Sequence, residues 1–193
     1  TKEQMRALVS GFKSVADEYG IEIIGGDTLS NTKLDITITI ISKVRKPLLR
    51  SGAKIGDLIA YTGELGRSKK DLSTLLNGGK IHSLSKFVNI KLRSTFVQKT
   101  HRFLTAGMDI SDGLFSDLGK LSKASSIGYS FFDKASKSMA CSGEEYEMLI
   151  SFSPRDMKTL KRRAVQSRTP LNIFARAKRN KYTNRCKSHH FKR

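Results

Sequence analysis

Short apolar segments of strand length alternate along this 193-residue chain with amphipathic segments of helix length. Residues 2–19 place apolar side chains at the helical period and end at Gly20, which is typical of a helix with a glycine cap. Further helices are predicted over 68–76 and 92–105, after Gly113 and after Ser153. Strands are predicted over 21–24, 34–44, 57–61, 108–110, 129–132, 146–152 and 171–175. This order predicts an α/β chain of the α+β sandwich type.

A connector rich in Lys, Arg and Gly covers residues 45–56. Such a composition between periodic segments indicates a boundary, so residues 1–44 and 45–193 are predicted to be separate domains. The chain starts inside the first predicted helix and without a Met. We therefore expect it to be a part of something longer.

The net charge of +19 is concentrated near the end of the chain. Residues 151–193 contain fourteen Lys or Arg and a single acid, Asp156. Such a field attracts polyanions, which leaves a nucleic-acid-binding protein as one alternative. The segment lacks the interleaved aromatic residues of a base-stacking surface, so a solvated basic face is favoured over a nucleic-acid partner. No apolar run reaches 18 residues, so no membrane-spanning helix is predicted.

The two cysteines, Cys141 and Cys186, are far apart and form no C-x-x-C pattern. This argues against a disulfide framework and against a zinc site. We expect two free thiols without a role, and a reducing cytoplasm as the location of the protein.

Three short motifs place acidic residues beside glycines next to predicted strands, at 25–28, 109–113 and 142–147. Carboxylates at the ends of strands suit a hard cation such as Mg²⁺, and glycines let backbone amides approach phosphate. Asp109 and Asp112, three residues apart, could hold a cation between them. A carboxylate satisfied by backbone amides explains the same pattern as well, and both interpretations stay open.

Taken together, these motifs resemble those of the thiamine-monophosphate kinases. The similarity rests on residues 25–28 (GGDT), 50–57 (RSGAKIGD), 62–68 (TGELGRS), 109–118 (DISDGLFSDL), 142–149 (SGEEYEML) and 189–191 (HHF). Glu145 stands where the family pattern has Asp. The family's earlier acidic motifs are absent because the chain starts after them.

The resemblance implies a remnant of an amino-terminal synthase-like domain, followed by a carboxy-terminal domain like that of aminoimidazole ribonucleotide synthase. It implies transfer of a phosphoryl group from ATP to thiamine monophosphate in a Mg²⁺-dependent homodimer, with the chain alone inactive. A related ATP-dependent synthase acting on another phosphorylated metabolite remains an alternative. The implied roles are metal binding by Asp27, Asp109 and Asp112, the last two being catalytic, nucleotide binding by Gly26, Asp27, Arg50 and Ser111, and substrate binding by Glu144.

Overall fold

The structure, a computed structural model, describes residues 1–132 and 135–186. The chain divides into two compact units, of which the first is Thr1–Lys43 and the second begins at Val44. Within the described ranges, no helix combines the length and the apolar character that crossing a membrane requires. The motif at 189–191 lies outside the described residues.

The first unit contains one long helix, α1, which spans Lys2–Tyr19. Thr1 caps its start, because the threonine side chain accepts a hydrogen bond from the Gln4 amide and the Gln4 side chain bonds back to Thr1. Gly20 ends the helix in the left-handed conformation, with φ of 63°. The predicted helix and its glycine cap are confirmed.

The prediction of two strands in the first unit, over 21–24 and 34–44, is wrong. Residues 20–57 contain no strand. A strand is held by the backbone of a neighbouring strand, and no segment described in Thr1–Lys43 supplies one. The alternating side chains of the second segment are accordingly exposed, namely Leu34, Ile36, Ile38 and Ile40.

The second unit is built on one five-stranded sheet. Its strands are β1 (Leu58–Thr62), β2 (Leu104–Asp109), β3 (Gly128–Phe131), β4 (Met148–Phe152) and β5 (Leu171–Lys178). They lie in the order β2-β4-β1-β5-β3, and every neighbouring pair is antiparallel. The α+β class is confirmed.

Helices cover both faces of this sheet. The helices described in this unit are α2 (Arg67–Leu76), α3 (Ser94–Thr100), α4 (Leu114–Ser125), α5 (Lys137–Ala140) and α6 (Met157–Gln166). Residues of α4 and α5 pack in one core and residues of α3 and α6 in the other. The buried side chains of β1 alternate between two cores, because successive residues of a strand point to opposite faces. Ile59 packs in the core that includes α4, whereas Leu58 and Ala60 pack in the core that includes α3 and α6.

Some helix and strand boundaries differ from the predicted ones. The helix predicted over 92–105 ends at Thr100, and a 3₁₀ turn at His101–Phe103 leads into β2. The strand predicted from residue 146 begins at Met148, because Tyr146 adopts φ of 51°, a left-handed conformation that a strand excludes.

The prediction of two free thiols is also wrong, since Cys141 and Cys186 form a disulfide with a Cα–Cα distance of 5.5 Å. Their separation of 45 residues hid this pairing, which depends on the path of the chain after β5. On that path Tyr182 donates a hydrogen bond of 2.8 Å to the Phe115 carbonyl and packs edge-on against Tyr129. These contacts hold the segment after β5 against α4.

Reduction of this disulfide is expected to lower the free energy of unfolding by roughly 2–4 kcal/mol, because the cross-link restricts a long loop in the unfolded chain. Chemical denaturation with and without dithiothreitol measures the difference. A Cys141→Ser/Cys186→Ser variant serves as the control, since its stability should not respond to the reductant. Equal responses of both proteins would rule out a stabilising disulfide.

Candidate active site

The segment Asp109–Gly113 connects the end of β2 to the start of α4. Asp109 is the last residue of β2, and Ile110 is fully buried behind it. Gly113 precedes α4 with φ of 98°, and a Cβ there would come within 3.1 Å of the Ser142 carbonyl oxygen. The positive φ favours glycine, and a Cβ would crowd residues 140–142, against which the segment packs.

A buried carboxylate holds this segment in its conformation. The Asp117 side chain accepts hydrogen bonds of 3.0 Å from the backbone amides of Ser111 and Asp112. It also accepts one of 2.7 Å from Lys120. Burial raises the pKa of Asp117 above its ordinary value, although the Lys120 ammonium opposes the rise. Asp117 thus fixes the backbone around Asp112 from inside the protein.

Lys120 bridges two carboxylates, with Nζ 2.6 Å from an Asp112 oxygen and 2.7 Å from an Asp117 oxygen. Burial lowers the pKa of Lys120, but the hydrogen bonds that it donates to both aspartates outweigh that effect, and the pKa lies above its ordinary value. The ammonium therefore stays charged and neutralises part of the acidic segment.

The second acidic motif runs alongside the first. The amides of Glu144 and Tyr146 donate to the carbonyls of Ser111 and Ile110, at 2.7 Å and 2.9 Å. The Ile110 amide donates in turn to the Glu147 carbonyl at 2.7 Å. These three backbone bonds join the motifs at 109–113 and 142–147, which are distant in sequence, into one structural group.

Two residues of the second motif adopt strained backbone conformations. Glu144 and Tyr146 have φ of 56° and 51°, in the left-handed region that non-glycine residues rarely enter. Each such residue costs on the order of 1 kcal/mol or more, and strain of this kind is concentrated at functional sites. The Tyr146 hydroxyl donates to the exposed Glu144 carboxylate, and this bond, with burial, raises the pKa of Tyr146 to about 12.

Beneath the exposed Glu144, the next glutamate is fully enclosed. One oxygen of Glu145 accepts hydrogen bonds from the Gly66 amide at 2.8 Å, the Ser68 amide at 3.2 Å and the Ser142 hydroxyl at 2.6 Å. Its other oxygen pairs with Lys86 at 2.9 Å. Glu145 thereby caps the start of α2 and ties it to the second motif.

Glu147 lies at the centre of a buried ion cluster. Its carboxylate accepts two hydrogen bonds of 2.8 Å from Arg93 and one of 2.7 Å from Thr62, and it pairs with Lys86 at 3.2 Å. Burial raises the pKa of Glu147, but the hydrogen bonds from Arg93 and Thr62 and the nearby positive charges outweigh it, so that the pKa lies below its ordinary value. A Cβ on Gly63 would come within 1.9 Å of the Glu147 carboxylate, so the cluster also requires that glycine.

The structure thus brings Ser111, Asp112 and Glu144 into one hydrogen-bonded group, and Asp109 adjoins it as the last residue of β2. Arg50 is exposed, and its carbonyl accepts a bond from Ser125 at the opposite end of α4 from Asp112. Gly26 and Asp27 belong to the first unit, where both are exposed and the Asp27 carboxylate accepts a bond from the Thr28 amide.

Sequence reasoning missed the supporting residues of this group. It placed Asp117 only in a motif and gave no role to Lys120 or Lys86. A spacing of three residues on a predicted helix could have indicated the Asp117–Lys120 pair. The pairing of Lys86 with Glu145 joins residues 59 apart, and local sequence carries no signal for it.

The carboxylates of the first motif fit a hard divalent cation. The described ranges contain no cluster of three or more metal-ligating side chains. Mg²⁺, however, is commonly held by one or two carboxylates, with water and phosphate oxygens completing its shell. The half-buried Asp109 carboxylate accepts no hydrogen bond from any described residue, and the Asp112 carboxylate, although paired with Lys120, is partly exposed, so a cation can reach either of them.

Comparison with known proteins finds sequence similarity to thiamine-monophosphate kinases. No family model matches the chain. The thiamine-monophosphate kinase of Nitrosopumilus maritimus is 30% identical over 190 residues, which cover 89% of this chain and 61% of that protein. The chain spans about half the length of the curated relatives it matches, between 41% and 61% for three of them.

Solved structures with similar folds include AaThiL complexed with AMPPCP and TMP. It has a TM-score of 0.57 and 21% identity, and the match covers 70% of this chain and 49% of that one. The HypE-HypF complex gives a TM-score of 0.73 with 13% identity, covering 93% of this chain and 68% of that one. At such identities these structures establish the fold alone. The sequence comparison makes the chain a relative of the thiamine-monophosphate kinases, and its partial coverage of them fits a carboxy-terminal portion of such a protein.

Proposed function

We propose that the protein to which this chain belongs transfers a phosphoryl group from ATP to thiamine monophosphate, giving thiamine diphosphate. The observation that carries the proposal is the joining of the 109–113 and 142–147 motifs by three backbone hydrogen bonds. These motifs carry the sequence resemblance to the kinases. The names of the relatives, and the AMPPCP and TMP bound by AaThiL, support the same substrates.

In this proposal Asp109 and Asp112 hold Mg²⁺, which supplies neutralising charge to the phosphate oxygens when bound. Ser111, between them, contacts ATP. Asp117 keeps the amides of Ser111 and Asp112 in place, and the nearby start of α4 contributes a favourable dipole for an anion.

Glu144 is proposed to contact the thiamine substrate. Its exposed carboxylate is held by Tyr146 above a rigid, buried base formed by Glu145 and Glu147. Such support suits a group that must orient a substrate, because positioning supplies much of the catalysis in phosphoryl transfer.

The proposal also assigns roles to the two predicted domains and to their assembly. Residues 1–44 are proposed to be the end of an amino-terminal domain, in which Gly26 binds nucleotide and Asp27 binds nucleotide and Mg²⁺. Residues 45–193 are proposed to be the carboxy-terminal domain, with Arg50 contacting ATP. A homodimer is the proposed working form. The relatives favour the cytoplasm as its location, whereas the Cys141–Cys186 disulfide is of a kind that is rare in that reducing compartment.

A product assay tests the proposed function. Protein containing this chain, with ATP, Mg²⁺ and thiamine monophosphate, is expected to form thiamine diphosphate, which chromatography after oxidation to its fluorescent derivative detects. If the chain alone is inactive, expression of the complete reading frame in a bacterial strain lacking thiamine-monophosphate kinase extends the test. Failure of the complete reading frame both to form product and to restore growth would contradict the proposal. Turnover of another phosphorylated metabolite would favour the related synthase instead.

A further inference from the structure

The Lys120 ammonium contacts the Asp112 carboxylate that is proposed to bind Mg²⁺. Its Nζ lies 2.6 Å from an Asp112 oxygen, close enough for a charge-assisted hydrogen bond. The Asp112 side chain is 24% exposed and the Lys120 side chain 35% exposed, so water and ions can reach this pair.

The second carboxylate bound by Lys120 differs from the first in burial. The Asp117 side chain is fully buried, lies 2.7 Å from the same ammonium and is also bonded to two backbone amides. Separating Lys120 from Asp117 would leave a buried charge unpaired, which is strongly unfavourable. Separating it from the partly exposed Asp112 costs less, because water can solvate both groups.

We infer that Lys120 is a built-in counter-ion of Asp112, which a divalent cation displaces while the lysine remains on Asp117. This inference rests on the proposed binding of Mg²⁺ by Asp109 and Asp112. Lys120 acts through its charge and is not itself a catalytic residue. Its function is to keep the acidic segment folded when no metal is bound, at the expense of weaker metal binding.

The inference predicts that Lys120→Gln tightens binding of a divalent cation by about tenfold. A divalent ion about 5 Å from an ammonium is repelled by an energy of this order even in water-like surroundings. Mn²⁺ serves as the probe in titrations of the full chain, followed by electron paramagnetic resonance of the free ion. Lys123→Gln is the matched control, because Lys123 is an exposed residue of the same helix without an ion pair in the described residues.

The Asp112→Asn variant tests the proposed metal site separately from the counter-ion role of Lys120. If Asp112→Asn weakens Mn²⁺ binding and Lys120→Gln tightens it, the inference is supported. If Asp112→Asn weakens binding but Lys120→Gln leaves it unchanged or weaker, the counter-ion role is overturned while the proposed metal site stands. If Asp112→Asn has no effect on binding, the metal site and the inference fail together.

A measurement on the unaltered chain covers the case in which Lys120→Gln fails to fold. Titration with diamagnetic Mg²⁺ is expected to shift the side-chain resonances of Lys120, observed by nuclear magnetic resonance, and to leave those of Lys123 in place. Unchanged Lys120 resonances at saturating Mg²⁺ would overturn the displacement.

Discussion

Glu147→Ala is expected to destabilise the second unit by about 3–5 kcal/mol, because it removes one partner from a buried ion cluster. The substitution leaves the Arg93 guanidinium without its two hydrogen bonds and the buried Thr62 hydroxyl without its acceptor. Lys86 keeps Glu145 as a partner, which limits the loss on that side. Urea denaturation followed by circular dichroism measures the change.

Glu64→Ala is the control for this prediction. Glu64 also forms an ion pair, with Arg67 at 3.0 Å, but both side chains are about two-thirds exposed. Exposed pairs contribute about 1 kcal/mol or less. Similar losses for the two variants would show that burial does not set the strength of the Glu147 cluster.

Acid titration provides a second test of the Glu147 ion cluster. The pKa of Glu147 is lower in the folded protein than its ordinary value of 4.5. Its stabilising contribution is therefore present above pH 4.5 and is lost as the pH falls through the folded-state pKa. Glu147→Gln should show a smaller loss of stability than the wild type over that acidic range. An unchanged pH dependence would contradict the lowered pKa.

A second large effect, on the rate of phosphoryl transfer, is expected for substitutions in the motif at 109–113. Asp109→Asn and Asp112→Asn should each lower the rate of phosphoryl transfer by about a hundredfold or more in the active protein, because each removes a ligand charge that neutralises phosphate. The substitutions are nearly isosteric, and Lys120 keeps Asp117 in the second variant, so the fold should persist. Steady-state formation of thiamine diphosphate measures the rates.

Asp156→Asn is a suitable control for these variants. Asp156 precedes α6 and makes no capping hydrogen bond through its side chain. We expect this variant to retain the wild-type rate. Near-normal turnover in both the Asp109 and Asp112 variants would remove these residues from the proposed metal site.

Local patterns predicted much of the second unit and the helix of the first. Helix α1 follows from its period and from Gly20, and β1 follows from an apolar run that ends at a glycine turn. The alternation at 34–44 is equally clear in sequence, yet it forms no strand, because pairing depends on a neighbour that local sequence does not specify.

The residues of the candidate site were also only partly predictable from local sequence. Asp109, Asp112 and Glu144 lie in motifs with acidic residues beside glycine, which sequence reasoning could find. The contacts that hold them, such as Glu147 with Arg93 across 54 residues, depend on the fold. The disulfide was missed for the same reason, because a separation of 45 residues gives no indication of a distance in space.

The strand order has a consequence for synthesis of the protein on the ribosome. The central strand β1 pairs with β4 and β5, so that Leu58 lies opposite Phe152 and Arg176. Until residues 148–178 have left the ribosome, β1 has neither neighbour and β3 lacks β5, which leaves unpaired edges that attract other chains. The sheet can therefore be completed only after β5 has been synthesised, and a nascent chain halted before β5 would be a substrate for chaperones.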